Sequence, residues 1–222
     1  DDQHGTAIIS GAALLNALEV VNKSIAEIKM VVNGAGASAM SCSKLFIALG
    51  VKKENLIMLD SKGTLNKERT DLDEYKQFFV NETKTNTLED ALKNADVFVG
   101  LSKANILSQD MIRSMAKDPI VFAMANPDPE IDPAISRKYA AVVATGRSDQ
   151  PNQINNVLAF PGIFRGLLDA HITKITDKML VLAAEAIASC VSDEQLNANF
   201  IVPSVFDLNV VQKVAAAVKK SS

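Results

Sequence analysis

Segment 34–39 and Asp60 have the residue types and spacing that binding a phosphorylated ligand requires. The segment reads Gly-Ala-Gly-Ala-Ser-Ala, which matches the pattern G-x-G-x-x-A. Glycine in such a turn lets the backbone approach a pyrophosphate, and the start of the following helix supplies free N–H groups. The sequence therefore predicts a dinucleotide site, and the alternative is a glycine turn that binds nothing. The candidate residues are Gly34, Ala35, Gly36, Ala37, Ser38 and Asp60.

The cofactor type is left open between NAD and NADP. Asp60 ends the apolar run that follows the glycine turn, where a carboxylate accepts hydrogen bonds from the ribose hydroxyls and favours NAD. Lys62 stands two residues later and has the charge to pair with the 2′-phosphate of NADP. Asp60 therefore favours NAD, whereas Lys62 favours NADP.

Polar side chains also follow two later apolar runs. Ser102 comes after the run 97–100, and Asn126 opens the sequence Asn-Pro-Asp-Pro-Glu after the run 120–124. Ligands of open parallel sheets bind beyond the carboxyl ends of the strands. We therefore expect Asn126 in a crevice with Ser102 close to the cofactor, although a proline turn would also explain Asn126.

Two further polar groups allow more than one interpretation. Asn155 and Asn156 precede the sequence Phe160-Pro161-Gly162, and they either cap a helix or orient a small carboxylate or amide. Asp1 and Asp2 are adjacent acids, which are usually solvated surface charge or a helix cap. Divalent ions such as Mg²⁺ and Mn²⁺ prefer carboxylate oxygens, but two acids do not complete a metal site.

The elements that must position these residues alternate between helices and short apolar strands. Helical periodicity covers 6–21, with Thr6 as a candidate cap, and the chain from 155 onwards is predicted as helical except around 200–203. Uniformly apolar strands between helices indicate a Rossmann-like, doubly wound, mostly parallel sheet with a helical C-terminal extension. The predicted strands are 28–32, 56–59, 97–100, 120–124 and 140–144, and the predicted helices between them are 38–49, 87–94 and 108–116.

Composition excludes several classes of protein. The chain has 222 residues and a net charge of −3, so nucleic acid is not the expected ligand. Apolar runs stay shorter than the ~18 residues that span a membrane. Two cysteines do not make a disulfide framework, and the chain opens without a signal peptide, so we expect a cytoplasmic protein.

Several segments, in this order along the chain, resemble malic enzymes, and the short bacterial-type branch is the most similar. They cover the chain almost from end to end. The segments are 1–7 (Asp-Asp-Gln-His-Gly-Thr-Ala), 34–39, 59–63 (Leu-Asp-Ser-Lys-Gly), 125–127 (Ala-Asn-Pro), 145–149 (Thr-Gly-Arg-Ser-Asp) and 155–162 (Asn-Asn-Val-Leu-Ala-Phe-Pro-Gly).

The resemblance implies oxidative decarboxylation of malate to pyruvate and CO₂, with NAD or NADP and with Mn²⁺ or Mg²⁺. Asp2 then matches a metal-binding carboxylate and Asp1 its supporting neighbour. Asn126 and Asn156 match the side chains that hold malate. The remaining assignments place Asn155 and Ser102 along the cofactor, Thr6 near the nicotinamide, and Ala35 to Ser38 at the pyrophosphate.

The resemblance also implies that catalytic groups lie outside this chain. The family's general base, general acid and two other metal carboxylates precede the Asp1-Asp2 pair. We expect segment 1–24 to belong to the interdomain and metal region and segment 25–222 to be the cofactor domain, with the upstream substrate domain absent. Such a chain binds dinucleotide without turning over malate, and the family implies a homodimer or larger homo-oligomer.

Two other functions remain as alternatives. One is the cofactor domain of an amino-acid dehydrogenase, which has a similar nucleotide-binding fold. The other is a dinucleotide-binding module without catalysis, because a fold alone does not imply a function.

Overall fold

The computed structural model describes residues 2–221, and the side chains of residues 3–221. No helix within this range is both long and apolar enough to cross a lipid bilayer. The strands are β1 (Met30–Asn33), β2 (Leu56–Asp60), β3 (Gly63–Thr64), β4 (Val97–Gly100), β5 (Ile120–Ala123) and β6 (Val142–Thr145). The helices are α1 (Asp2–Val20), α2 (Ala37–Leu49), α3 (Glu74–Gln77), α4 (Leu88–Leu92), α5 (Gln109–Ser114), α6 (Pro133–Ser136), α7 (Phe160–Asp169), α8 (Asp177–Ala188) and α9 (Leu208–Lys219).

The strands form one sheet in the order β3-β2-β1-β4-β5-β6. All neighbours pair in parallel except β3, which is antiparallel to β2. This confirms the predicted fold class. Strand β3 was not predicted, because two residues in a polar stretch carry no apolar signal.

Both faces of the sheet are covered, which explains why its strands are uniformly apolar. Met30 and Val32 of β1 belong to the core that α1, α2, α8 and α9 complete. Val31, between them, points into the second core with residues of α4 and α5. Successive strand residues face opposite sides, so a strand covered on both sides needs apolar residues throughout.

Helix α1 differs from the amphipathic helix that the sequence predicted. It begins at Asp2, so Thr6 lies inside the helix and is not its cap. The stretch from Ala7 to Leu14 is fully buried, because α2 and α8 both pack against the helix. Ser10 is accommodated there because its hydroxyl donates to the carbonyl of Ala7.

The C-terminal region is less helical than expected. Residues 189–207 contain no helix, whereas the sequence predicted an interruption only around 200–203. Buried amides fix this segment in place of helical hydrogen bonds. Asn152 donates to the carbonyl of Ala198 and accepts the N–H of Ile201, and Asn16 donates to the carbonyl of Ile201.

Helices α7 and α9 run in the same direction and pack closely through two glycines. A Cβ atom added at Gly162 would lie 2.5 Å from the Cβ of Val214, and one added at Gly166 would lie 2.7 Å from the Cβ of Val218. We expect Gly162→Ala to lower the free energy of unfolding by about 1–3 kcal/mol, because the added methyl overpacks this interface. Urea unfolding measures the change.

Gly36→Ala is the control for this measurement. A Cβ atom at Gly36 meets nothing within 4 Å, so its free energy of unfolding stays within about 0.5 kcal/mol of that of the unchanged chain. Equal losses in the two variants would contradict the packing argument.

Candidate functional site

The loops that follow β1 and β4 run to opposite sides and leave a crevice between them at the carboxyl edge of the sheet. Two cavities occupy it, of about 570 and 430 Å³. Ser102 lines both, so they meet at this residue. This is where ligands bind in open parallel sheets.

The glycine turn forms the wall between β1 and α2. Gly34 has a φ of 131°, and a Cβ atom there would lie 2.8 Å from the carbonyl oxygen of Leu101. Gly36 precedes α2 without a side chain to cap its first N–H groups. These donors and the helix dipole make an anion site.

The predicted turn residues do not all line this crevice. Gly34, Ala35 and Gly36 line the larger cavity, together with Asp60, and Ser38 lines the smaller one. Ala37 instead lines a third cavity, of about 510 Å³, between α2 and the starts of α1 and α8.

Asp60 is the most strongly paired carboxylate of the crevice. Arg69 donates two hydrogen bonds of 3.0 Å to it, and Lys76 donates one of 2.9 Å. Burial alone would raise the pKa of the Asp60 carboxyl, but these bonds and the N–H of Lys62 hold it well below its usual range. Asp60 is therefore a fixed negative charge at the end of β2.

The lysine whose ammonium group contacts Asp60 is Lys76, and not Lys62 as the sequence indicated. The Lys62 ammonium forms an ion pair with Asp71 at 2.7 Å and does not line the crevice. Lys76 lines the larger cavity, and so does Lys103. Lys76 and Arg69 were missed because they lie in an aperiodic polar loop, where spacing does not predict which side chains turn back to β2.

The smaller cavity brings together the polar residues predicted from separate motifs. Thr6, Ser102, Asn126, Asn155 and Asn156 all line it. The Thr6 hydroxyl donates to Oδ1 of Asn156 at 3.0 Å, and Ser102 accepts a hydrogen bond from Asn33 at 2.9 Å.

Two of these amides lie close to neighbouring backbone. Asn155 caps the short helical turn after it, because its Oδ1 accepts the N–H of Val157. The Asn126 amide lies against Gly146, where an added Cβ atom would be 3.4 Å from Oδ1. Asn155 therefore acts as a cap and also lines the cavity, and its contact with a ligand stays a prediction.

The structure describes one of the two predicted metal-site residues. Asp1 lies outside the described residues, and Asp2 is placed only as the first residue of α1. Among the described residues, no three His, Cys, Asp or Glu side chains are grouped to hold a metal ion.

The sheet order, the uncapped helix after a glycine turn and the carboxylate at the end of β2 define a dinucleotide-binding domain of the Rossmann type. Residues 3–222 match the family model described as "Malic enzyme, NAD binding domain". The chain therefore belongs to the malic enzyme family.

Three relatives illustrate this membership. The NAD-dependent malic enzyme of Geobacillus stearothermophilus is 47% identical, with 100% of this chain and 47% of that protein aligned. The NADP-dependent malic enzyme of Halomonas elongata is 43% identical, over 100% of this chain and 56% of that protein. A crystal structure of Entamoeba histolytica malic enzyme superposes with a TM-score of 0.95 at 38% identity, covering 100% of this chain and 48% of that one. The chain spans about half the length of the relatives it matches.

The ion pairs of Asp60 predict a pH-dependent contribution to stability. Because the folded-state pKa is lowered, the contribution is complete well above the usual aspartate value of ~3.9 and is lost as the pH falls below it. We expect Asp60→Asn to cost about 1–3 kcal/mol at about pH 7. The difference from the unchanged chain should shrink towards about pH 3, as urea unfolding would show.

Asp110→Asn provides the matched comparison. Asp110 forms an exposed 3.5 Å ion pair with Arg113, which contributes little to stability. If Asp60→Asn lowered the free energy of unfolding equally at every pH, or if Asp110→Asn lowered it as much, the ion pairs of Asp60 would not account for its contribution to stability.

Proposed function

We propose that this chain binds NAD or NADP in the crevice and supplies the cofactor half of a malic enzyme. The observation that carries the proposal is the meeting of the two cavities at Ser102. One has the chemistry for a pyrophosphate and a ribose, and the other is lined by amides and hydroxyls. A dinucleotide needs both, joined in this order.

The bound dinucleotide would extend from Asp60 to Asn156. Its pyrophosphate would lie against Gly34, Ala35, Gly36 and Ser38, where an open glycine leaves room and α2 donates N–H groups. Its nicotinamide would reach the smaller cavity, beside Ser102 and Thr6. Asn155 would contact the cofactor there.

Either NAD or NADP is consistent with the adenosine end. Asp60 would accept hydrogen bonds from the ribose hydroxyls, and Lys76 would offer its charge to a 2′-phosphate from the same cavity wall. The relatives described above are named for one cofactor or the other. Their names support both choices for this chain.

The proposed reaction is the oxidative decarboxylation of malate to pyruvate and CO₂. Asn126 and Asn156 would hold malate with its C2 beside the nicotinamide, and the cofactor would supply the hydride acceptor. Asp2, supported by Asp1, would contribute one carboxylate to a Mn²⁺ or Mg²⁺ site, and the ion would act as a Lewis acid. The general acid and general base would come from the part of the protein that the chain does not span.

We also propose a cytoplasmic homo-oligomer, such as a homodimer. Phe164 and Leu168 on α7 and Phe206 and Leu208 at the start of α9 are large apolar side chains, and each is more than half exposed. Exposed apolar groups of this size are typical of protein contacts.

The first test is the Gly36→Ala variant. Its methyl group has room in the folded chain, but it would stand between the backbone and the pyrophosphate. We expect at least an approximately tenfold loss of affinity for NADH or NADPH with unchanged stability, measured by calorimetry and urea unfolding. Gly162→Ala should show the reverse, with lower stability and unchanged affinity. Failure of the unchanged chain to bind either dinucleotide would refute the proposal.

A second test concerns malate. We expect no malate-dependent reduction of NAD⁺ or NADP⁺ by this chain with Mn²⁺ or Mg²⁺, followed by the absorbance of reduced nicotinamide. Two adjacent carboxylates do not fill the coordination positions of such an ion, and in our proposal the other ligands come from the part of the protein that the chain does not span. A full-length malic enzyme serves as the positive control. Turnover by this chain at ~1–10³ per second would contradict the expectation.

A further inference from the structure

Glu130 is a fully buried carboxylate directly beneath the crevice. Its Oε2 accepts the N–H of Ala125 at 3.1 Å, one residue before Asn126. Its Oε1 is buried without a well-formed hydrogen bond to any described residue. Burying a carboxylate costs free energy unless its partners compensate for it, so the contacts that Glu130 makes must offset this cost.

The Glu130 side chain reaches from the loop after β5 to the end of β4. A Cβ atom at Gly100 would lie 2.3 Å from Cδ of Glu130, so only glycine leaves space for the carboxylate there. The backbone completes this contact, because the carbonyl of Glu130 accepts the N–H of Leu107 and that of Pro129 accepts the N–H of Asn105. The loops after β4 and β5 are therefore joined around Glu130.

The loops joined in this way carry Ser102 and Asn126. Burial raises the pKa of the Glu130 carboxyl, while the N–H groups of Ala125, Glu130 and Ser102 act in the opposite direction. The carboxyl thus faces backbone donors from both loops. No part of Glu130 is exposed, so it acts on a ligand through these loops and not by contact.

We propose that Glu130 is a positioning residue for the nicotinamide end of the crevice. By holding the backbone at Ala125 and lying against Gly100, it sets the distance between Asn126 and Ser102. The inference rests on the proposed function, because it assigns these two side chains to the nicotinamide half of a dinucleotide. It predicts that Glu130 affects the binding of the nicotinamide half and does not affect the binding of the adenosine half.

The test compares two probes, NADH and ADP-ribose, which lacks the nicotinamide. Glu130→Leu introduces an apolar side chain of similar size and leaves the N–H of Ala125 without its acceptor. We expect at least an approximately tenfold loss of NADH affinity and less than about a threefold change for ADP-ribose, by calorimetry. Glu130→Gln retains a side-chain oxygen for Ala125 and should restore most of the NADH affinity.

Two further variants separate positioning from general destabilisation. Asn16→Leu removes a buried amide that bonds to the carbonyls of Ala188 and Ile201, away from the crevice, and should leave the ratio of the two affinities unchanged. Gly100→Ala displaces the carboxylate with a methyl group, and it should reproduce the selective loss even if Glu130→Leu does not fold.

The outcomes distinguish the inference from the proposed function. If the unchanged chain binds neither probe, the proposed function is wrong and the positioning role fails with it. If the unchanged chain binds both, equal losses of NADH and ADP-ribose in Glu130→Leu, or no loss of either, overturn the positioning role alone. Amide hydrogen exchange in the free protein adds a ligand-independent readout, because Glu130→Leu should accelerate exchange at Ala125 and Glu130→Gln should restore its protection.

Discussion

The crevice depends on the central position of β1, which pairs in parallel with β2 on one side and with β4 on the other. After β1 the chain crosses to β2 on one side, and after β3 it returns to β4 on the other. The loops that leave β1 and β4 therefore part, and the Gly34 backbone lies beside the Leu101 carbonyl oxygen where they do so. The positions of the glycine turn and of Ser102, one on each of these loops, follow from this division.

Carboxylates in two different environments stand near the two ends of the crevice. Asp60 remains ionised because Arg69 and Lys76 surround it, so it presents a fixed negative charge. Glu130 is buried beyond the reach of water and faces backbone donors, so its effect is on the shape of the loops. The same carboxylate group thus stays charged where cations surround it and, in the role proposed for Glu130, positions the backbone where N–H groups surround it.

The sequence predicted the parts of the site that are local in the chain. The glycine turn, the helix after it and Asp60 belong to one continuous strand–turn–helix–strand unit, so periodicity and spacing were sufficient. Lys76 and Glu130 depend on contacts across loops without a periodic pattern, and no spacing rule identifies them. The burial of Ala7 to Leu14 in α1 was not predicted for a related reason, since it comes from packing against α2 and α8 and not from a stripe in the helix's own sequence.

The burial of α1 also bears on how the chain folds. The first helix is completed by partners from the far end of the chain, since Thr6 bonds to Asn156 over 150 positions and Asn16 bonds to Ile201 over 185. Bringing together residues so far apart in the chain costs conformational entropy before the contact adds any stability, and this slows folding. During synthesis, the part of the α1 surface that α8 covers therefore stays exposed until residues 177–201 have emerged.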